Sequence, residues 1–521
     1  MADVYHGGEA AVPQAPPNRN DTLLFWASFI AIVATAFGFV IRAGIDWGTV
    51  FHLTKTQTGQ ILGVGLWPFA ITIVLFSLII DKIGYGKSMI FAFACHVVGA
   101  IATIMATDYK TLYWATFITA LGNGTVEAVT NPVVATLFVR DKTKWLNRLH
   151  AGWPGGLVLG GLLALVMGSA PWQAKIALIF LPVLGYAALM FGRKFPINER
   201  VAAGVSYRPM LQQVGIAGAA VIVGLIVRAA GDALNVTDTN QLIIGLVLVA
   251  AFGLYVRTLG HPLFIFLLLI MIPLATTELG TDSWIGDLMT PAMAKLGLPG
   301  ATVLIYTSAI MLVLRFVAGP IVHKLSPLGL LAACSVVAAG GLFAMSQSAG
   351  VMILVAATFY AFGKAFFWPT MLGVVSEQFP KGGALTLNAT GGVGMLAVGV
   401  IGAPLLGIIQ DTKIDTDLAR SNPAIYAQVS GETRQSVLGS YKPIDDAKVS
   451  ALPEAEKATV EETRTAAKTQ ALARVAAFPV LMFVCYVGLI LYFRSRGGYH
   501  PQVITTGDEP ELVGARGVRT A

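Results

Sequence analysis

Apolar runs recur along the chain at residues 23–50, 57–80, 88–107, 112–138, 149–169 and 172–192, then at 210–230 and 241–258. They resume at 262–285, 301–322, 328–346, 351–376, 384–409 and 476–493. Most match or exceed the about 20 residues that a helix needs to cross the hydrocarbon core, and polar or charged residues separate them. The pattern predicts an all-α polytopic membrane protein of about 14 transmembrane helices, arranged as six, two and six. Its two six-helix bundles would be pseudo-symmetric, with an extra hairpin between them.

The loops predict the orientation. Lys82 and Lys87, then Arg140, Lys142, Lys144 and Arg148, then Arg193, Lys194, Arg200 and Arg208 follow the second, fourth and sixth runs, and the alternate loops are poor in basic residues. His323 and Lys324, then Arg494 and Arg496, continue the alternation in the second half. Basic residues collect on the cytoplasmic side, so both termini are expected inside.

The organisation read from the chain is a disordered tail over 1–21, a first bundle over 22–192, and a linker with the extra hairpin over 193–260. A second bundle follows over 261–496, and a further tail over 497–521. The second bundle carries an external insertion at 410–475, whose part from Pro453 to Arg474 mixes charges with alanine, shows no apolar stripe, and extends the last helix into water.

Composition agrees: 55% of the residues are hydrophobic and 12% charged, with mean hydropathy +0.72, against about 25% charged in soluble domains. The pI near 9.2 arises from 35 basic and 28 acidic residues, with the basic ones spread over short loops, a sign of topology rather than nucleic-acid binding. Cys95, Cys334 and Cys485 stand singly in apolar stretches, which argues against disulfides or a metal cluster. No nucleophile with a nearby base and no phosphate-cradling loop stands out, so neither an enzyme nor a cofactor is expected.

An internal repeat emerges from the polar residues inside the runs. Glu127 lies five residues before Pro132, and Lys364 five before Pro369, an offset of 237. The same offset carries Arg42 to within one residue of Glu278, and Asp46 to within one of Asp282. Repeated halves with solute and coupling-ion sites near the midplane between them typify secondary transporters.

A charge at the bilayer centre costs at least about 2.5–3.5 kcal/mol, so Glu127 and Lys364 either pair with each other or handle solute and protons. Arg42 with Asp46, and Glu278 with Asp282, share helix faces at i, i+4. The two aspartates are either cavity residues or interfacial residues at helix ends. Trp47, Trp67, Trp284, Tyr360, Phe366, Phe367 and Trp368 accompany these charges, with Asn123, Asn131 and Asn388 as hydrogen-bonding amides.

A sugar needs both kinds of group, apolar walls and a few placed polar side chains. The candidate solute-binding residues are therefore Arg42, Asn123, Asn131, Glu278, Trp284, Lys364, Trp368 and Asn388, with Glu127 as the proton-coupling acid. An organic anion held by Lys364 and Arg42 is the alternative substrate, and a solute receptor without turnover the alternative class. The partners expected are a small solute and the lipid bilayer, with no nucleic acid, around a functional monomer.

The loop Asp81-Lys82-Ile83-Gly84-Tyr85-Gly86-Lys87 resembles the motif between helices two and three of the major facilitator superfamily, with a weaker copy from Gly319 to Ser326. The resemblance implies two six-helix bundles and a gating role for Asp81 and Lys82 with Arg315. Gly122-Asn123-Gly124-Thr125-Val126-Glu127, Asn131-Pro132 and Leu146-Asn147-Arg148-Leu149-His150 resemble the fourth and fifth helices of the fucose and glucose proton-symporter branch. This implies a sugar coupled to the proton gradient, Glu127 as proton carrier, and a place in the bacterial inner membrane. Gly152, Gly156 and Gly160 are similar to an antiporter motif, a spacing that close helix packing also produces.

Overall fold

Polar caps divide the apolar runs into helices. The computed structural model describes residues 18–504 apart from 295, 349–350 and 437–438, and the outer parts of both expected tails lie outside the described residues. Asn18 and Asp21 form a reciprocal capping box at the start of α1 (Arg19–Ala43), which satisfies two amides with no helical partner. The first bundle continues with α2 (Gln57–Ile83), α3 (Tyr85–Ile104), α4 (Tyr109–Leu137), α5 (Val139–Val166) and α6 (Trp172–Met190). The hairpin is α7 (Tyr207–Ala233) with α8 (Asp238–Val256).

In the second bundle, α9 runs through Pro262–Ala275, a π-helical turn Thr276–Gly280, and Thr281–Ala294. Next, α10 joins Thr302–Phe316 to Ala318–Leu325 across a 68° bend. The last four are α11 (Pro327–Gln347), α12 (Met352–Gln378), α13 (Pro380–Ser421) and α14 (Glu454–Arg494). Among the described residues, twelve helices are long and apolar enough to cross a membrane, and thirteen with α10 taken across its bend. The 29 residues of α4 would span about 44 Å at 1.5 Å each. It falls outside that set because Thr119, Asn123, Glu127, Thr130 and Asn131 interrupt its apolar sequence.

Small residues bring helices into contact. A Cβ on Gly156 would lie 2.5 Å from the Val33 carbonyl, and one on Gly152 2.7 Å from that of Phe29; this glycine row lets α5 lie directly against α1, the close-packing reading of the spacing. The halves meet where α2 packs on α13 and where α5 packs on α10 and α12.

The hairpin straddles this junction, with α7 touching α2 of one half and α9 and α13 of the other. It is held by a helix break at Gly215, where φ is +58°. The chain at 258–261 runs along the break, with Thr258 O accepting from Ile216 N at 2.9 Å and Gln213 O from His261 N at 3.1 Å.

Two expectations about the insertion are corrected. The helix expected to end at 409 continues to Ser421, and the helix Glu454–Val475 does carry an apolar stripe, burying Val460, Ala467, Ala471 and Leu472. Val460 joins Leu418, Val429, Val449 and Leu452 in a small separate core. So sparse a stripe suffices because the helix ending at Ser421 packs against it, a contact that periodicity along one helix does not reveal. The extension of the last helix is as expected: Glu454–Val475 leads into Ala477–Arg494.

Both ends of the described chain lie on one face. Asn20 bonds the Lys194 carbonyl at 2.9 Å, and past α14, Tyr499 donates to Glu377 Oε2 at 2.8 Å while Gln502 N reaches the Glu377 carbonyl at 2.7 Å. The chain after Gly497, expected as tail, thus begins with a strap across the end of α12.

Candidate functional site

Proline shapes the two repeated helices. A proline lacks the N–H that would bond the carbonyl four residues earlier, so Pro132 and Pro369 each leave a carbonyl open, at Ala128 and Ala365. Asn388 Nδ2 on α13 donates to Ala128 O at 2.9 Å, a contact between the halves. Arg315 Nε on α10 donates to Ala365 O at 2.6 Å. The repeat of 237 residues is therefore also a repeat of freed carbonyls, each taken by a side chain of another helix.

Arg315 anchors the centre of the second half. It is 1% exposed, and besides Ala365 O it bonds Glu278 Oε1 at 2.7 Å and the His150 carbonyl on α5 at 2.8 Å. Glu278 sits in the π-helical turn of α9 and accepts from Trp368 N through Oε2 at 3.1 Å. α12 breaks between Lys364 and Phe367; Trp368 is the second residue past the break, where helix amides lack a helical partner, and the buried carboxylate provides one. A buried ion pair needs such additional bonds to offset its desolvation. Arg315, expected at the gate, lies buried and bonds across the interface between the halves.

Lys364 pairs with Asp282, not with Glu127. The ion pair joins a fully buried ammonium to a carboxylate that is 10% exposed, and the Lys364 Nζ lies 5.0 Å from the centre of the Tyr360 ring. This corrects both the Glu127–Lys364 pairing and the interfacial reading of Asp282. Asp46, in contrast, is exposed and caps the short helix Trp47–Phe51 through Thr49, as the helix-end reading expected.

The first half is organised by a stripe on α4. Thr116, Thr119, Asn123, Glu127 and Asn131 follow at intervals of three, four, four and four, which keeps them on one helical face. At one end, Arg42 donates to Thr103 at 2.8 Å, Thr119 at 2.9 Å and Thr116 at 3.4 Å.

Midway, Asn123 Oδ1 meets His96 Nε2 at 2.9 Å, and His96 Nδ1 meets the Tyr186 hydroxyl at 3.1 Å. At the other end the buried Glu127 accepts from Asn131 Nδ2 at 2.8 Å, and Asn131 Oδ1 meets His150 Nε2 at 2.8 Å. Because the His150 carbonyl binds Arg315, polar contacts lead from Glu127 to Glu278 across the interface.

The terminal face is sealed. Lys142 bonds Glu199 at 2.6 Å and the Ser376 carbonyl at 3.2 Å, while Thr143 Oγ1 donates to Glu377 at 2.5 Å and Asn147 to Thr370 at 3.1 Å. Asp81 pairs with Arg200 of the linker, and Lys82 lies 5.4 Å from the centre of the Tyr207 ring. Two gating residues from the sequence therefore meet the linker and the start of the hairpin, and direct ties between the halves on this face come from Lys142, Thr143 and Asn147.

Of the candidate aromatics, the Trp368 ring packs beside Gly394, where a Cβ would lie 2.7 Å from it, and the side chain of Trp284 lies outside the described residues. The residues missed were His96 and the three threonines; Asp282, read as a cavity or interfacial residue, pairs with Lys364, and the half-buried rings of Phe39 and Trp153 have centres 5.9 Å apart. The spacing on α4 signals the threonines at 116 and 119. The histidines lie on other helices.

Comparison with known proteins agrees with this architecture. The family profile of the Major Facilitator Superfamily matches residues 24–403; the chain belongs to that superfamily and is an integral membrane transporter, not an enzyme. No curated protein sequence matches it. Among solved structures it is similar to the fucose:proton symporter FucP in the outward conformation, at 14% identity and a TM-score of 0.54 over 89% of this chain and 98% of that one; the protein is from E. coli. It is also similar to the proton:xylose symporter XylE at 12% and 0.58, over 90% and 95%. The human organic anion transporter MFSD10 aligns at 10% and 0.56, over 91% and 100%.

Proposed function

We propose that this transporter couples a small hydroxyl-bearing solute to protons by alternating access, with Glu127 as the proton carrier. The observation that carries this reading is the isolation of Glu127. Glu278 has Arg315 and Asp282 has Lys364, whereas the buried Glu127 has only the amide of Asn131 among the described residues. A buried carboxylate without a counter-charge is costly, and taking up a proton removes that cost. The contacts from Asn131 through His150 to Arg315 link its state to the interface between the halves.

The solute is a sugar or sugar derivative, met by Asn123 and by the Phe39 and Trp153 rings. The names of the fucose and xylose symporters, whose fold this chain shares, support that class. The protein acts as a monomer in the bacterial inner membrane, with the terminal face cytoplasmic, in keeping with the basic loops at Lys82, Lys142 and Arg200.

Counterflow in proteoliposomes tests the coupling. Glu127→Gln keeps the shape and the bond to Asn131 but cannot ionise, so it abolishes accumulation driven by a pH gradient while exchange of labelled solute continues. Continued accumulation against a gradient by Glu127→Gln would remove Glu127 as carrier.

A further inference from the structure

Among the described residues Arg42 has no carboxylate partner, unlike Arg315 and Lys364. Arg315 and Lys364 are each neutralised within their own half. Around Arg42 stand three threonines, and each has already donated its hydroxyl proton along its own helix, Thr103 to Gly99 O at 2.7 Å, Thr116 to Leu112 O at 2.8 Å and Thr119 to Ala115 O at 3.0 Å. They accept from the guanidinium and orient it but supply no negative charge.

Its Nε–H is buried without a partner, and Nη1 makes only the 3.4 Å contact with Thr116. Asp46, four residues further along the chain, caps the next short helix and is committed to Thr49. A guanidinium presents a planar fork of donors that matches a carboxylate, and Arg42, in the last turn of α1, leaves part of that fork unused.

We infer that Arg42 with Thr103, Thr116 and Thr119 is a carboxylate-binding subsite, and that the solute is a polyhydroxy monocarboxylate, a sugar acid, rather than a neutral sugar. The subsite lies on the α4 stripe eight residues from Glu127, about 12 Å along the helix, with Asn123 between them to meet hydroxyl groups. This rests on the proton-coupled reading above and adds a charge balance to it: one anion travelling with one proton moves no net charge, whereas a neutral sugar with a proton moves one positive charge.

The test is uptake of labelled D-gluconate and D-glucose into proteoliposomes under an inside-alkaline gradient, with the membrane potential set by valinomycin and potassium. Gluconate should accumulate at least tenfold faster than glucose, at a rate independent of potential. Arg42→Gln should lose at least tenfold in gluconate uptake, and Arg42→Lys should retain part of it. Thr119→Val, which leaves the charge but removes one orienting hydroxyl, should raise the KM for gluconate severalfold; it serves as the second variant should Arg42→Gln fail to fold by gel filtration.

Uptake of glucose as fast as gluconate, unchanged gluconate uptake in folded Arg42→Gln, or binding of neither probe in a thermal-shift assay would each overturn the inference. If instead gluconate uptake depends on Arg42 but ignores the pH gradient in wild type and Glu127→Gln alike, the subsite stands and the proton-coupled reading falls.

Discussion

Replacing Glu278 with methionine would leave Arg315 as an unpaired cation at 1% exposure and strip the Trp368 amide of its acceptor. Removing one partner of a buried pair costs about 3–5 kcal/mol. Glu278→Gln should be little better: Oε1 faces Arg315 Nη2 and Oε2 faces Trp368 N, both donors, so either amide orientation turns its NH2 towards a donor. Arg315→Met should cost a similar amount, because Glu278 is stranded and the Ala365 and His150 carbonyls lose their Arg315 donors. The double variant Glu278→Met with Arg315→Met should cost much less than the sum. It strands no charge, and what remains are the Ala365 and His150 carbonyls and the Trp368 amide, at about 1–3 kcal/mol each. Unfolding in mixed micelles, followed by tryptophan fluorescence, gives the four free energies of the cycle. Additivity of the two single costs to within about 0.5 kcal/mol, the behaviour of independent sites, would refute the reasoning that the pair and the broken α12 form one unit.

Other consequences can be checked separately. Asn388→Ala should cost about 1–3 kcal/mol by leaving Ala128 O unsatisfied, and much less in a Pro132→Ala background, where the restored amide can bond that carbonyl; an equal cost in both backgrounds would refute the role of the proline. Gly215→Ala should disrupt the start of the hairpin, because its Cβ would lie 2.0 Å from Gly260 N at a φ of +58°; wild-type thermal stability of this variant would contradict the packing. Bonds from the Thr111 amide and hydroxyl hold the exposed Asp108 carboxyl below the ordinary aspartate value of 3.8, so its capping contribution is present above that value and is lost as pH falls through the lower folded one. Hydrogen exchange in the first turn of α4 should accelerate only in that acid range, and acceleration near neutral pH would argue against the cap. A tag between residues 423 and 450 should be labelled from the face opposite the termini, and labelling from the terminal face would overturn the topology.

Much of the architecture follows from linear pattern. The runs of apolar residues demand burial or lipid wherever they fold, and the 237-residue offset between Glu127-Pro132 and Lys364-Pro369 marks the repeated halves without any contact being known. The i, i+3 and i, i+4 spacing on α4 likewise places Thr119, Asn123, Glu127 and Asn131 on one face, because the helical period alone determines that.

Which charge meets which could not be read this way. Spacing along a helix gives a face but not the neighbouring helix it meets, so Lys364 could be matched with Glu127 by symmetry although Asp282 on α9 is its partner. The surroundings of Arg315 were equally hidden from the sequence. Its place in the core depends on a carbonyl opened by Pro369 and a carboxylate carried by the π-helical turn of α9, groups more than 35 residues away in either direction. His96 and His150 gain their positions only because α3 and α5 lie beside α4, and Arg42 stands without a carboxylate only because Asp46 turns outward to cap the next helix. Helix identity is local, set by composition and period. Charge pairing is decided by the orientation of helices packed side by side, which only the tertiary structure specifies.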